Sequence, residues 1–203
     1  MDEVRLGEAR VHVLPVVRGL PSEAPSVAGA IETVRPDVVA LSIGPEELEA
    51  LRAYRGGSVA AENFEEEVYV AGLSAWEEPV KPAPCFTEAI RRADASRVRV
   101  EGVDMDESTY TDAYTSYVSA MELIFQGRAE RRLARKRFRA RTPREFVLEW
   151  DAEVNRPVGF ARLQREREAH MARRLREIAK SARAVLAVIE VERAEGVLAA
   201  LRP

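Results

Sequence analysis

The 203 residues include one cysteine, two histidines, three lysines, two asparagines and two glutamines. Each scarcity excludes something. The lone thiol, Cys85, forms no internal disulfide and points to a reducing compartment. With His12, His170 and Cys85 as the whole soft-ligand inventory, no zinc-ligand spacing occurs. No apolar run approaches the ~20 residues that span a bilayer. The opening Met1-Asp2-Glu3-Val4-Arg5 has none of the basic-then-apolar order of a signal peptide, so no membrane contact and a cytoplasmic location are expected. A phosphate-binding glycine loop is missing too, because Gly56-Gly57 is not followed by Lys and Ser/Thr. Neither a nucleophile elbow, a dinucleotide fingerprint nor an internal repeat occurs, and no cofactor is expected.

What is present is a globular balance, 46% apolar and 32% charged, with a net charge of −3. That charge gives no global pull toward nucleic acid or anionic membrane. The length suits a single domain, residues 1–203, able to bury a core without a staple. Arginine far outnumbers lysine, and thermolabile amides are few. That bias suits a heat-adapted source, and a GC-rich genome produces the same bias.

The patterning predicts an α/β fold. Val4 to Leu6 and Arg10 to Val17 flank Gly7-Glu8 as a hairpin. Val38 to Ile43, Val98 to Val103 and Ala184 to Val191 read as buried strands. Helices are expected after Pro21, after Gly44-Pro45-Glu46-Glu47, over 62–73 and around Phe86 to Ala93. One long helix is expected through Tyr110, Tyr114, Tyr117, Met121 and Ile124. Further helices follow the Thr142-Pro143-Arg144-Glu145 box and Pro157, and a short one spans Gly196 to Leu201. Strands alternating with helices imply a central, largely parallel, mixed sheet of about four to five strands. A helical insertion or cap, about 107–180, separates the third strand from the last.

Ligands in open α/β sheets bind beyond the strand carboxyl ends. Four segments converge there: Val17-Arg18-Gly19, Ser42 to Glu46, Asp104-Met105-Asp106 and Glu192-Arg193. Asp104 and Asp106 can ligate a hard cation, and Arg18 or Arg193 can clamp an anion. The plainer alternative is a solvated edge of mutually paired charges. Glu166 and His170 share a helical face, which is half a metal site or a surface ion pair. Cys85 reads as a buried, incidental thiol. Arg128 to Arg141 carries eight basic residues against one acid, Glu130. A solvated face or subunit contact accounts for it more simply than nucleic acid does.

Several segments together resemble one family. Arg35-Pro36-Asp37-Val38-Val39-Ala40-Leu41, followed by Glu46 to Leu51, resembles the early strand–helix unit of the TraB/PrgY family, related to the Tiki and erythromycin-esterase-like proteins. Gly102-Val103-Asp104-Met105-Asp106 resembles its mid-chain strand ending in Asp. Glu166-Arg167-Glu168-Ala169-His170-Met171-Ala172 resembles its charged helix, and Ala184 to Val197 its last strand and turn. The family's Gly-Thr-x-His turn reads here as Pro15-Val16-Val17-Arg18. Its second glycine–histidine turn reads as Glu190-Val191-Glu192-Arg193, and its second-strand acid as Ser42. Arginine cannot ligate a cation, so the resemblance implies an inherited fold without the metal chemistry.

Three functions are therefore in view. The first is a non-catalytic TraB-like domain binding a partner protein or small anionic ligand through Arg18, Ser42, Glu46, Asp104, Asp106, Glu166, Arg167 and Arg193. The second is a metal-dependent hydrolase using Asp104, Asp106, Glu46 and Glu166. The third is phosphate or nucleic-acid binding through 128–141. The tyrosine stripe at 110, 114 and 117 adds the expectation of a homodimer, since aromatics are enriched at interfaces, or else of a core face.

Overall fold

A computed structural model of the chain describes residues 1–56, 63–125, 131–133 and 135–202. Residues 128–130 and 134 of the basic segment, and residue 62 at the expected helix start, lie outside them. The fold is α/β: a five-stranded mixed sheet, mostly parallel, flanked by helices. β1 (Asp2–Leu6) and β2 (Ala9–Val16) form the expected hairpin, pairing antiparallel with Leu6 opposite Ala9. Gly7 occupies the turn at φ +62°, where a side chain would be strained. β3 (Val38–Leu41), β4 (Arg99–Gly102) and β5 (Ala184–Glu190) complete the order β1-β2-β5-β3-β4, with β2, β5, β3 and β4 mutually parallel.

Period-two alternation along the central strand builds the two faces. Val185, Ala187 and Ile189 pack under α8 (Val158–Ala179) and α9 (Val191–Leu201), against Met171, Leu175, Val197 and Leu201. Leu186 and Val188 pack under α1 (Glu23–Val34) and α4 (Pro84–Ala95), against Val27, Ile31, Phe86 and Ala89. Each such fully buried aliphatic side chain contributes about 1.5–3 kcal/mol, which is why β5 tolerates no polar residue until Glu190. No helix among the described residues is long and apolar enough to cross a membrane.

Other elements lie over the strand ends. α2 (Pro45–Ala53) starts with Pro45 and acids in its first turn. α3 (Phe64–Leu73) is capped by Asn63, whose side chain accepts from the Glu66 N–H at 2.9 Å. α3 docks on α7 (Pro143–Val154), burying Leu73, Phe146 and Val147 with Val17, Leu20 and Val191. Gly72 meets the Phe146 ring so closely that an added Cβ would overlap it. Gly72→Ala is therefore expected to destabilise the fold by about 1–3 kcal/mol. The check is a lower denaturation midpoint at unchanged m-value.

Two boundaries differ from those the sequence suggests. The single helix expected over 110–124 is two, α5 (Glu107–Tyr117) and α6 (Ala120–Ile124). Ser119 and Glu122 form a reciprocal capping box that starts the second helix anew. The tyrosine stripe divides accordingly: Tyr114 packs edge-on against Phe160, whereas Tyr110 and Tyr117 are exposed. The last helix begins at Val191, directly after β5, and not at Gly196. That places Glu192 and Arg193 in a helical first turn.

Candidate functional site

β5 sends α9 to one face of the sheet, while its neighbours β2 and β3 send α1 and α2 to the other. The chain thus diverges on both sides of the β5 carboxyl end, the position where open α/β sheets leave a crevice. Among the described residues, the polar side chains buried in the fold, Ser42, Asp104, Glu190 and Arg193, all gather at this end.

Each sequence-nominated arginine has internal carboxylate partners. Arg18, just past β2, donates from Nη2 to Glu47 Oε1 at 2.6 Å and from Nη1 to Glu190 Oε1 at 3.2 Å. Arg167, on α8, donates from Nε to Asp104 Oδ2 at 3.0 Å. Arg193, 4% exposed, donates from Nη1 to Glu168 Oε1 at 2.9 Å and from Nη2 to Asp151 Oδ1. Amides link these pairs. Asn155 Nδ2 donates to Asp151 at 2.7 Å, Gln164 Nε2 to Asn155 Oδ1 at 3.0 Å, and Arg167 Nη1 to Gln164 Oε1 at 2.7 Å. A continuous network thus runs from Arg193 to Asp104. It uses one of the two asparagines and one of the two glutamines in the chain.

The other nominated residues serve local geometry. Ser42 Oγ accepts from the Glu190 N–H at 3.0 Å, tying β3 to the end of β5. Asp104 Oδ1 accepts from the Met105 N–H at 2.8 Å. Asp106 is the N-cap of α5, accepting from the Thr109 N–H at 2.7 Å. Glu46 is exposed and accepts from the Glu107 N–H at 3.4 Å. Glu166 pairs with Arg173 at 2.9 Å. His170 is held below its usual range, by burial first and then by Arg173. The structure therefore brings Arg18, Ser42, Asp104, Arg167 and Arg193 to one rim and leaves Glu46, Asp106 and Glu166 at its edges. Among the described residues, no three His, Cys, Asp or Glu side chains come together in a set that could hold a metal ion.

Beside Arg18 the rim opens into a cavity of about 280 Å³ lined by Arg18, Tyr69, Lys81, Trp150, Glu190 and Glu192. A second hollow of about 400 Å³, toward Tyr54 and Val80, shares Arg18, Tyr69 and Lys81. The Tyr69 hydroxyl donates to the Arg18 carbonyl at 2.8 Å, and its ring meets Trp150 edge-on with centroids 4.9 Å apart. Trp150 Nε1 donates to the Glu65 carbonyl at 3.2 Å, joining α7 to α3. Lys81 pairs with Glu66. Glu192 is different. Its Oε2 is buried without a hydrogen-bond partner, and burial, reinforced by Glu190, pushes this carboxyl up to about 8. It is protonated at neutral pH.

Tyr69, Trp150, Glu190, Asp151 and Glu168 were not nominated from the sequence. The available signal was Glu190 and Glu192, two acids at the mouth of an otherwise apolar strand.

The basic segment is answered by α7. Arg132 pairs with Glu153, and Lys136 lies 3.3 Å from Glu149 and 3.4 Å from Glu153. A concavity of about 840 Å³ there is lined by Arg131, Arg132, Arg135, Lys136, Glu153 and Arg156. Cys85 is fully buried, and burial pushes its thiol up to about 12. No known family model and no curated protein matches the chain.

Proposed function

We propose that this chain is a non-catalytic, TraB-like binding domain that takes a small polar ligand in the cavity between α3, α7 and the carboxyl ends of β2 and β5. The carrying observation is Glu192 Oε2, a buried acceptor without a partner that lines this cavity. Buried polar atoms are ordinarily satisfied, and an unmade bond of this kind costs about 1–3 kcal/mol. A ligand that completes it recovers that loss. Two further features support binding over catalysis. Ser42 Oγ is committed to backbone, and the Cys85 thiol is far from its reactive form at neutral pH. The TraB-like reading draws support from Arg18, Asp104 and Arg193, which follow strands of one parallel sheet in the order that the resemblance requires.

Trp150 lines the cavity and Trp76 does not, so the two indole N–H resonances give a reporter and an internal reference. Titrating small cationic, neutral and anionic compounds of similar size should move the Trp150 signal saturably for at least one charge class. If no class moves it, the proposed function fails.

A further inference from the structure

Resting on that reading, we propose that the ligand is a small organic cation, an alkylammonium or guanidinium, whose charge is met by Glu192 and whose body lies against the rings of Tyr69 and Trp150. Charge bookkeeping at the rim leads there. Glu47, Asp104, Asp151, Glu168, Glu190 and Glu192 stand against Arg18, Arg167 and Arg193. Six carboxyls face three guanidiniums, so the rim lacks positive charge. Every one of those arginines already donates to a carboxylate, and Lys81 is paired with Glu66. An anion entering here would meet guanidiniums whose charge is already answered by internal carboxylates.

A cation displaces no internal ion pair, only the Glu192 proton. It supplies the donor that Glu192 Oε2 lacks, and aromatic side chains lining the same cavity attract cations through their ring faces. The groups facing Glu192 define its proton balance: Glu190 at the end of β5, Arg193 in its own helix, Asp151 on α7 and Tyr69 on α3. Glu190 is occupied by Arg18, and Arg193 by Asp151 and Glu168. None of them gives Glu192 a hydrogen bond. Binding is then an exchange: the cation arrives, the Glu192 O–H bond breaks, its proton leaves to solvent, and a carboxylate–cation pair remains. Below the carboxyl's own titration point one proton is released per ligand bound. Affinity should therefore rise about tenfold per pH unit from pH 6 toward 8.

The test uses the full chain with n-butylammonium, butanol and butyrate as matched probes. Calorimetry in two buffers of different ionisation enthalpy counts the protons. Butylammonium should bind saturably, move the Trp150 indole signal and release about one proton, whereas butanol and butyrate should bind at least tenfold more weakly. Glu192→Gln preserves shape, and it should lower butylammonium affinity at least tenfold and abolish proton release. Butyrate binding as tightly as butylammonium, or unchanged butylammonium binding by Glu192→Gln, overturns the cation assignment while leaving a ligand cavity in place. Silence of all three probes at the Trp150 signal overturns both.

Discussion

Arg193→Met is expected to lower the unfolding free energy by about 3–5 kcal/mol at neutral pH, read from denaturant titration. The side chain is 4% exposed, and its partners Asp151 and Glu168 are only 19% and 15% exposed. Methionine replaces the packing of the aliphatic stem but leaves two buried carboxylates without a counter-charge. Both carboxyls already sit above their ordinary range, because burial outweighs the nearby guanidinium. Without Arg193 they rise further. An acid whose folded pKa exceeds its unfolded value gives stability that is fully present below the unfolded value and is lost as pH climbs through the folded one. The deficit of the variant should accordingly be small near pH 4 and grow toward neutrality. Adding Asp151→Asn and Glu168→Gln should recover most of it. A deficit that ignores pH would mean that lost packing, and not charge, is responsible.

The same network shows what can and cannot be read from a sequence. β3 and β5 were legible because strands buried on both faces are continuous apolar runs bounded by polar residues. α2 was legible because Gly44-Pro45-Glu46-Glu47 is a helix start. Placing Arg18, Asp104 and Arg193 at one rim followed from strand ends alone. Their partners did not, because the pairs close over 29, 63 and 42 residues for Arg18–Glu47, Arg167–Asp104 and Arg193–Asp151. No local pattern encodes which acid on a distant helix arrives opposite a given arginine. Tyr69 and Trp150 were hidden for the same reason, since α3 and α7 reach the cavity only through tertiary docking. The missed boundaries have a different origin. Helical spacing of Tyr117, Met121 and Ile124 runs straight across the break at Ser119, and only the Ser119–Glu122 box marks it. The apolar run of β5 ends in Glu190-Val191, where extended and helical backbone serve the pattern equally well.

Those missed residues also change the sign of the rim. Arginines at strand ends suggest an anion when counted alone. Counted with the acids that reach them, they form a set in which carboxyls outnumber guanidiniums, and Glu192 is held neutral by burial first and then by Glu190.

The second large effect is expected from that residue. Glu192→Gln should stabilise the ligand-free protein at pH 8.5 by an amount on the order of 4 kcal/mol and leave stability at pH 4.5 nearly unchanged. In the folded chain burial, with Glu190 adding to it, holds this carboxyl near 8, against an ordinary value of 4.5. The raised folded value fixes the direction. Stability from the protonated form is complete below about 4.5 and is lost as pH rises to about 8. Glutamine keeps the shape and a hydrogen-bond donor but never ionises, so the variant should lack this slope. Thermal or denaturant midpoints across pH 4.5 to 8.5 measure it directly. An isosteric change that gains this much stability identifies a residue retained at the expense of the fold, which is the usual mark of a binding group. Saturating n-butylammonium should then return stability to the wild-type protein in the alkaline range and do nothing for Glu192→Gln, because glutamine offers the cation no carboxylate to pair with. If wild type and variant move in parallel from pH 4.5 to 8.5, Glu192 is solvated in the folded chain, and the cation site falls with it.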